Sequence, residues 1–187
     1  ITKYQGHMVP TVGGVILFCE QREKYFPDGW IQVGRFSGKD KRHIFDTADI
    51  KSYPIIAIDE TMEFIRKHAM KSLEIKGVRH KERWSFPLTA IREAVINAVV
   101  HADYSQKGSP IRVAIFDDRM EIENPGGLLF GLTVDDIKRG VSKLRNRVIG
   151  RVFHKLGIIE RWGSGIKRII ESCNDAGFDS PIFEEIG

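Results

Sequence analysis

The stretch that organises the chain is residues 88–104, which read LTAIREAVINAVVHADY. Pro87, directly before this stretch, suits the first turn of a helix. Apolar residues then recur at spacings of three and four positions, which predicts one buried face of an α-helix. That face consists of Ile91, Ala94, Val95, Ala98 and Ala102.

A polar stripe runs along a second face of the same helix. Glu93, Asn97 and His101 follow one another at intervals of four residues, which places them within roughly a quarter of the circumference of a helix with about 3.6 residues per turn. Polar groups in an apolar surface need partners, because an unpaired buried polar group costs about 1–3 kcal/mol. The residues that flank the stripe are apolar: Ala90, Ile96 and Val100.

Two interpretations account for this stripe. In the first it forms an internal network, for instance with Glu93 paired to an arginine such as Arg112. In the second an external ligand completes it, with a hydrated metal ion bound by the side-chain oxygen of Asn97 and a water molecule oriented or deprotonated by Glu93. The helix alone leaves both interpretations open.

Length and composition restrict the class of protein. The chain has 187 residues, of which 42% are hydrophobic, enough to bury the core of one large domain or two small ones. No apolar run approaches the roughly 20 residues of a membrane span, and no signal peptide is recognisable, so we expect a cytoplasmic protein with no membrane partner. Cys19 and Cys173 are too few for a disulfide framework or a zinc site.

A basic block follows in the second half of the chain, although the net charge is only +4. Between residues 138 and 155 there are seven cationic residues and no acidic one. The block is either a solvated face or a surface for the phosphates of a nucleotide or of a nucleic acid. Its members are Lys138, Arg139, Lys143, Arg145, Arg147, Arg151 and Lys155.

Periodicity predicts most of the remaining elements. Residues 12–18 form an apolar run that is either a helix or a buried strand. A capping box of Thr133 and Asp136 predicts a short helix that ends near Arg139. The other predicted elements are a strand at 30–36, a helix from Pro54 to about Met70, a break at Gly77, a β-hairpin of 111–115 and 120–123, a helix from Asn146 to Gly157 and a helix that starts at Gly165.

Two glycine-rich turns flank the basic block. The first is Asn124-Pro125-Gly126-Gly127-Leu128, and the second is Gly163-Ser164-Gly165 at the start of the last helix. Free backbone NH groups and the helix dipole favour an anion at such a helix start, so the second turn is a candidate phosphate cradle. A tight connection between two elements also explains these glycines, and it is the more common role of a Gly-x-Gly sequence before a helix.

These motifs resemble a known family. Residues 92–101, which read REAVINAVVH, look like the N-box of the GHKL ATPases, a group that includes gyrase B subunits, MutL and the histidine kinases. Residues 10–183 are similar throughout to bacterial and archaeal transcriptional regulators and RecG-related ATP-dependent helicases, in which a Schlafen AlbA-like DNA-binding domain comes first. The motifs that carry this second resemblance are 10–14 with Phe18, 101–104, 123–127, 145–146 and 159–166.

The resemblance implies a fold and a domain arrangement. The expected fold class is α/β, an α+β two-layer sandwich of the Bergerat type, with a mixed, mostly antiparallel sheet and helices on one face. Residues 86–187 would form the GHKL ATP-binding core, and residues 1–85 an α/β portion packed on it or linked to it. The chain starts at Ile1 and ends on Gly187 after an apparent strand start, so we expect a piece of a longer protein.

The resemblance also implies site residues. Glu93 matches the general base and Asn97 the Mg²⁺ ligand, with His101 on the same stripe. Asn124 and Gly126 fall in the first glycine-rich box, where Asn124 replaces an aspartate that contacts adenine and Leu128 replaces a glycine. The remaining implied nucleotide contacts are Gly127, Lys143, Arg145, Gly163, Ser164 and Gly165.

Two functions of different classes follow from this resemblance. The first is a regulatory module that binds Mg-ATP, with slow hydrolysis, in a protein that contacts DNA through domains outside this chain. The second is a degenerate GHKL fold kept as a homodimerisation and scaffolding element. Helicase activity is not supported, because no GxxxxGK[ST] phosphate loop is present.

Overall fold

The computed structural model describes residues 1–69, 71–76, 79–160 and 163–186, with the backbone alone for 71–76 and 79–84. The helices are α1 (Val12–Phe18), α2 (Pro54–His68), α3 (Leu88–His101), α4 (Val134–Lys138), α5 (Arg147–Lys155) and α6 (Gly165–Asp175). The strands are β1 (Thr2–Tyr4), β2 (His7–Val9), β3 (Ile31–Phe36), β4 (Ile44–Ile50), β5 (Lys71–Lys76), β6 (Arg79–Trp84), β7 (Ile111–Ile115) and β8 (Met120–Glu123).

A four-stranded mixed sheet forms one layer of the fold. Its strand order is β4-β3-β7-β8, with β3 and β7 parallel and both outer pairs antiparallel. Ile31 lies opposite Ile111, and Val33 lies opposite Val113. Because side chains alternate along a strand, these four residues share one face. All four are buried, so this face of the sheet lines the core.

Helices α2 and α3 form the second layer. Helix α2 packs on β3, β4 and α3, and α3 also packs on β8. Ile58, Met62 and Ile65 of α2 and Val95 of α3 are at most 1% exposed. This arrangement confirms the predicted two-layer α+β fold with a mostly antiparallel sheet. The assignment to the Bergerat type is a finer statement and stays a prediction.

The central helix has the predicted faces but is shorter than predicted. It starts at Leu88 and ends at His101, while the predicted stretch continued to residue 104. Ile91, Val95, Ala98 and Ala102 are buried as expected, whereas Ala94 is only half-buried, against the small cluster of Ile169 and Cys173. The residues that flank the polar stripe are buried as well: Ala90, Ile96 and Val100.

The run at residues 12–18 is a helix, which the sequence had left undecided. The Thr11 side chain accepts a hydrogen bond from the Gly14 backbone NH at 3.0 Å, an N-cap contact that favours a helix start. Gly13 lies against α5, where a Cβ atom would stand 2.8 Å from Cβ of Val148. Glycine at this position therefore lets α1 and α5 pack closely.

Strand β4 was not predicted. It pairs with β3 at the edge of the sheet, and most of its residues are exposed or half-buried. Asp46, Thr47 and Asp49 interrupt its apolar pattern, as is usual for an edge strand. The pairing with β3 therefore decides its conformation.

The remaining predictions have mixed outcomes. The capping box of Thr133 and Asp136 is present, and the β7-β8 hairpin, α5 and α6 lie where predicted. The expected strand start near the C-terminus is wrong, because residues 178–186 form neither helix nor strand. Met70 and Gly77, where a helix end and a break were expected, lie outside the described residues.

The four-stranded sheet contains strands from both sides of the predicted domain boundary at 85/86. Strands β3 and β4 precede the boundary, whereas β7 and β8 follow it. The division into domains stays a prediction. In the described part of the chain, no helix combines the length and apolar character needed to span a membrane.

Candidate nucleotide site

The Glu93 carboxylate on α3 is paired with an arginine from α6. Arg168 Nη2 donates to Glu93 Oε2 at 3.1 Å, and the Glu93 side chain is only 14% exposed. Arg168 Nη1 lies 2.8 Å from Oε1 of Glu160, so one guanidinium joins two carboxylates. Arg112, the partner suggested from sequence, lies instead 4.0 Å from Oε2 of Glu123. The internal ion pair of the first interpretation is therefore present, but the partner of Glu93 is Arg168 and not Arg112.

Gly165 at the start of α6 rests directly on the polar stripe. A Cβ atom at this position would stand 2.5 Å from Oε1 of Glu93 and 3.0 Å from Nδ2 of Asn97. Only a glycine allows this approach without a shift of the neighbours. The positive end of the α6 dipole therefore faces a carboxylate, which is a favourable arrangement.

Asn97 has an unsatisfied polar group. Its Nδ2 atom is buried and has no hydrogen-bond partner among the described residues. An unpaired buried amide is costly, and a missing ion or water molecule is one of its ordinary explanations. The amide oxygen and nitrogen can exchange positions by a side-chain flip, so either atom can face a ligand.

A second cluster surrounds the C-terminal end of α3. Arg145 Nε donates to the His101 carbonyl at 3.0 Å, and its Nη2 donates to the Gly127 carbonyl. Asn146 Nδ2 donates to the Val100 and Ala102 carbonyls at 2.9 and 2.7 Å. These two side chains satisfy carbonyls that the helix end leaves without intrahelical partners.

The first glycine-rich turn packs against this helix end. Gly126 has a φ of +90°, and a Cβ atom there would lie 2.6 Å from Cβ of Asp103. Both the backbone conformation and the contact require glycine. The Asp103 backbone NH donates to the Pro125 carbonyl at 2.8 Å, and Arg145 Nη1 lies 3.6 Å from Oδ2 of Asp103. The turn is thus fixed to α3 on several sides.

His101 lies half-buried on this cluster. Burial, and then the positive charge of Arg145, lower the pKa of its imidazole. Both causes disfavour the imidazolium, so the neutral imidazole is favoured over a wider pH range than in a free histidine. In the neutral form, one ring nitrogen of His101 donates a hydrogen bond and the other accepts one.

Within the basic block, residues 140–145 contact both turns, with Ser142 beside Gly163 and Arg145 bonded to Gly127. Gly163 has a φ of +66°, and a Cβ atom there would stand 2.7 Å from Cβ of Ser142. Lys143 is exposed, with its Nζ 3.4 Å from the Phe130 carbonyl. Ser164 Oγ donates to Oε2 of Glu160 at 3.0 Å, so it also has an internal partner.

The structure thus forms two groups from the predicted site residues. Glu93 and Asn97 meet Gly165, while His101 and Gly126 meet Arg145. Asn124 and Lys143 stand exposed at the surface. Sequence reasoning missed Arg168, which lies 75 positions from Glu93 along the chain, and no local signal in the sequence points to it.

No metal-binding cluster accompanies these residues. Within the described ranges, no group of three or more His, Cys, Asp or Glu side chains could hold a metal ion. A cleft of about 500 Å³ opens beside α1, and none of the predicted site residues lines it. Its lining includes Pro10, Val12, Phe18, Cys19, Tyr25 and Phe26.

A match to a protein family supports an ATPase-like region in the second half of this α+β fold. Residues 108–187 match the family described as "Putative ATP-dependent DNA helicase recG C-terminal". That range includes the β7-β8 hairpin, both glycine-rich turns, the basic block and α6, but it begins after α3. The resemblance to RecG-related proteins is thereby confirmed for this region.

A solved structure has the same fold. The chain is similar to the DIP2311 protein from Corynebacterium diphtheriae, with a TM-score of 0.80 and 21% sequence identity. The similarity covers 93% of this chain and 35% of that protein, so this chain spans about a third of its length. No curated protein matches the chain.

Proposed function

We propose that this chain is the Mg-ATP-binding regulatory module of a cytoplasmic transcriptional regulator that contacts DNA through other domains. The nucleotide would lie between α3 and the turn at 124–127. The observation that carries this proposal is the contact of Gly165 with Glu93 and Asn97. This contact brings together the polar stripe, a helix N-terminus and a buried amide nitrogen that has no hydrogen-bond partner in the described part of the chain.

The residues fit a magnesium–nucleotide complex. Proteins usually hold Mg²⁺ through one or two oxygen ligands, with phosphates and water completing the shell. Asn97 would supply an amide oxygen, and the ion would neutralise charge on the phosphates. The backbone at 163–165 would contact the phosphates, and Asn124 would pair with the adenine edge. Glu93 would act as a slow general base on water.

Substitution of Asn97 tests nucleotide binding. Asn97→Ala is expected to weaken Mg-ATP binding by about tenfold or more, the ratio that corresponds to about 1.4 kcal/mol. Titration calorimetry on the chain of residues 1–187 measures this loss. Asn174→Ala is the matched control, because Asn174 is an exposed amide near the other end of α6. No heat from the unsubstituted chain with any purine nucleotide up to millimolar concentration would exclude the proposal.

One observation favours the scaffold alternative. Arg168 already pairs with Glu93, and Gly165 already occupies the space above it, so the carboxylate has partners without a ligand. A scaffold of this kind would form a homodimer in solution and bind no nucleotide. Sedimentation equilibrium tests for the homodimer. Thermal unfolding with and without Mg-ATP separates the two functions, because only the first predicts a nucleotide-dependent change in thermal stability.

We assign the basic block to a lid over the phosphates. Lys143→Ala with Arg145→Ala is expected to lower nucleotide affinity about tenfold, because a hydrogen bond to a charged group contributes about 1.5–3 kcal/mol. The affinity of this chain for duplex DNA should be weak and change less. Lys143→Ala alone tests the lid without disturbing the bonds of Arg145 to the end of α3.

The matched control for charge is Lys39→Ala with Arg42→Ala. Both side chains are exposed, and both lie in the β3-β4 connection. A surface that meets six phosphates would lose DNA affinity with a slope of about −0.9 per phosphate against log salt. Submicromolar DNA binding by residues 1–187 that the Lys143 and Arg145 changes abolish, while ATP binding persists, would make this region the DNA-binding surface.

A further inference from the structure

The C-terminal segment returns to the first glycine-rich turn. Phe183 packs on the small apolar cluster of Ala90, Ile169 and Cys173, which anchors the segment to α3 and α6. Two residues later, Oε1 of Glu185 accepts a hydrogen bond from the Leu128 backbone NH at 2.8 Å. The segment therefore places a carboxylate on the turn.

Gly127 makes this contact sterically feasible. A Cβ atom at Gly127 would collide with Oε1 of Glu185. Glycine therefore leaves beside the Leu128 NH a space that an oxygen atom can enter. Leu128 stands where the resemblance expects a further glycine, yet its backbone NH is available as a donor whatever its side chain.

A positive charge lies at the turn, on the guanidinium of Arg145, which is also 3.6 Å from Oδ2 of Asp103. The guanidinium of Arg145 is hydrogen-bonded to the Gly127 carbonyl. Glu185 itself is exposed, and among the described residues it forms no ion pair within 4.0 Å. Among the described residues, one hydrogen bond to the backbone attaches the carboxylate to the turn, and a competing ligand could replace that bond.

We propose that the Leu128 backbone NH is a nucleotide-binding group and that Glu185 occupies it until a nucleotide displaces the carboxylate. This inference rests on the proposed function, because it concerns the same site. Glu185 is then an internal competitor. In a fraction of the molecules Glu185 is bound to the Leu128 NH, and these molecules cannot bind nucleotide there. The apparent dissociation constant for the nucleotide is the intrinsic constant divided by the fraction of molecules in which this NH is free.

Removal of the competitor should tighten binding. Glu185→Ala is expected to bind Mg-ADP about tenfold more tightly than the unsubstituted chain, the size of effect for about 1.4 kcal/mol. Glu185→Gln keeps an acceptor oxygen but loses the charge, so it should tighten binding by less. Glu184→Gln is the matched control, because it removes the same charge from the neighbouring exposed residue. Titration calorimetry on all four proteins, each comprising residues 1–187, measures the dissociation constants.

The outcomes distinguish two kinds of failure. Equal affinities in all four proteins would overturn the role of Glu185 and leave the proposed function intact. No heat from any of the four would overturn the proposed function and this competition with it. Hydrogen exchange provides a second readout: the Leu128 amide should exchange faster in Glu185→Ala than in Glu184→Gln, and equal rates would overturn the contact.

Discussion

Glu93→Gln is expected to reduce ATP hydrolysis about 10²- to 10⁴-fold, the usual contribution of a positioned general base. Nucleotide binding should change little, because a glutamine oxygen can still accept the hydrogen bond from Arg168 that Glu93 now accepts. The measurement is single-turnover hydrolysis of Mg-ATP, since the unsubstituted rate is itself expected to be slow. Calorimetry on the same preparations separates loss of turnover from loss of binding.

The chain offers a matched control for this change. Glu160 pairs with the same guanidinium of Arg168 but lies outside the stripe of α3. Glu160→Gln therefore removes one of the two negatively charged partners of Arg168. The rate of hydrolysis should stay within about twofold of that of the unsubstituted chain, a change much smaller than the loss of a general base would cause. Equal rates for the unsubstituted chain and Glu93→Gln would mean that Glu93 is structural or that the activity comes from a contaminant.

Phe153→Ala should have the largest effect on stability, a loss of about 3–5 kcal/mol in the free energy of unfolding. Phe153 is 0% exposed and belongs to the main core cluster, which joins α5 to α1 and to the sheet layer. Truncation to alanine removes a whole ring from a close-packed site and leaves a cavity, so both lost burial and lost contacts contribute.

Phe130→Ala is the matched control for Phe153→Ala. Phe130 is 101% exposed, so its truncation should change the free energy of unfolding by no more than about 0.5 kcal/mol. Urea unfolding followed by circular dichroism measures both variants. A loss below about 1 kcal/mol for Phe153→Ala would mean that α5 is not packed in the core as described, since that lies below the usual range for this change.

The polar stripe on α3 could be predicted because it depends only on the spacing of residues within one helix. The spacing of Glu93, Asn97 and His101 follows from the helical repeat alone, and the flanking apolar residues required that they be set into a buried surface. From the sequence, Gly165 was expected near this stripe only because of the order in which the motifs follow one another along the chain. Its actual position depends on how α6 packs on α3 through Ala90, Ile169 and Cys173.

The partners of the site residues could not be predicted in the same way. Arg168 lies 75 positions from Glu93, and Leu128 lies 57 positions from Glu185. Nothing in the local sequence selects Arg168 over Arg112 as the partner of Glu93. The choice is made where α3 and α6 cross, because a buried carboxylate pairs with whichever cation the packing brings within reach.

The sequence by itself determined the elements whose conformation follows from local chemistry: the central helix from its apolar repeat, the β7-β8 hairpin from alternation, and the short helix α4 from its capping box. Tertiary structure decided between helix and strand at residues 12–18, formed the edge strand β4 and placed Glu185 on the first glycine-rich turn. The physical reason is that hydrogen bonds within a helix or a turn join near neighbours in sequence. Sheet edges, helix crossings and returning segments depend on contacts between distant residues, which form only when the whole core is assembled.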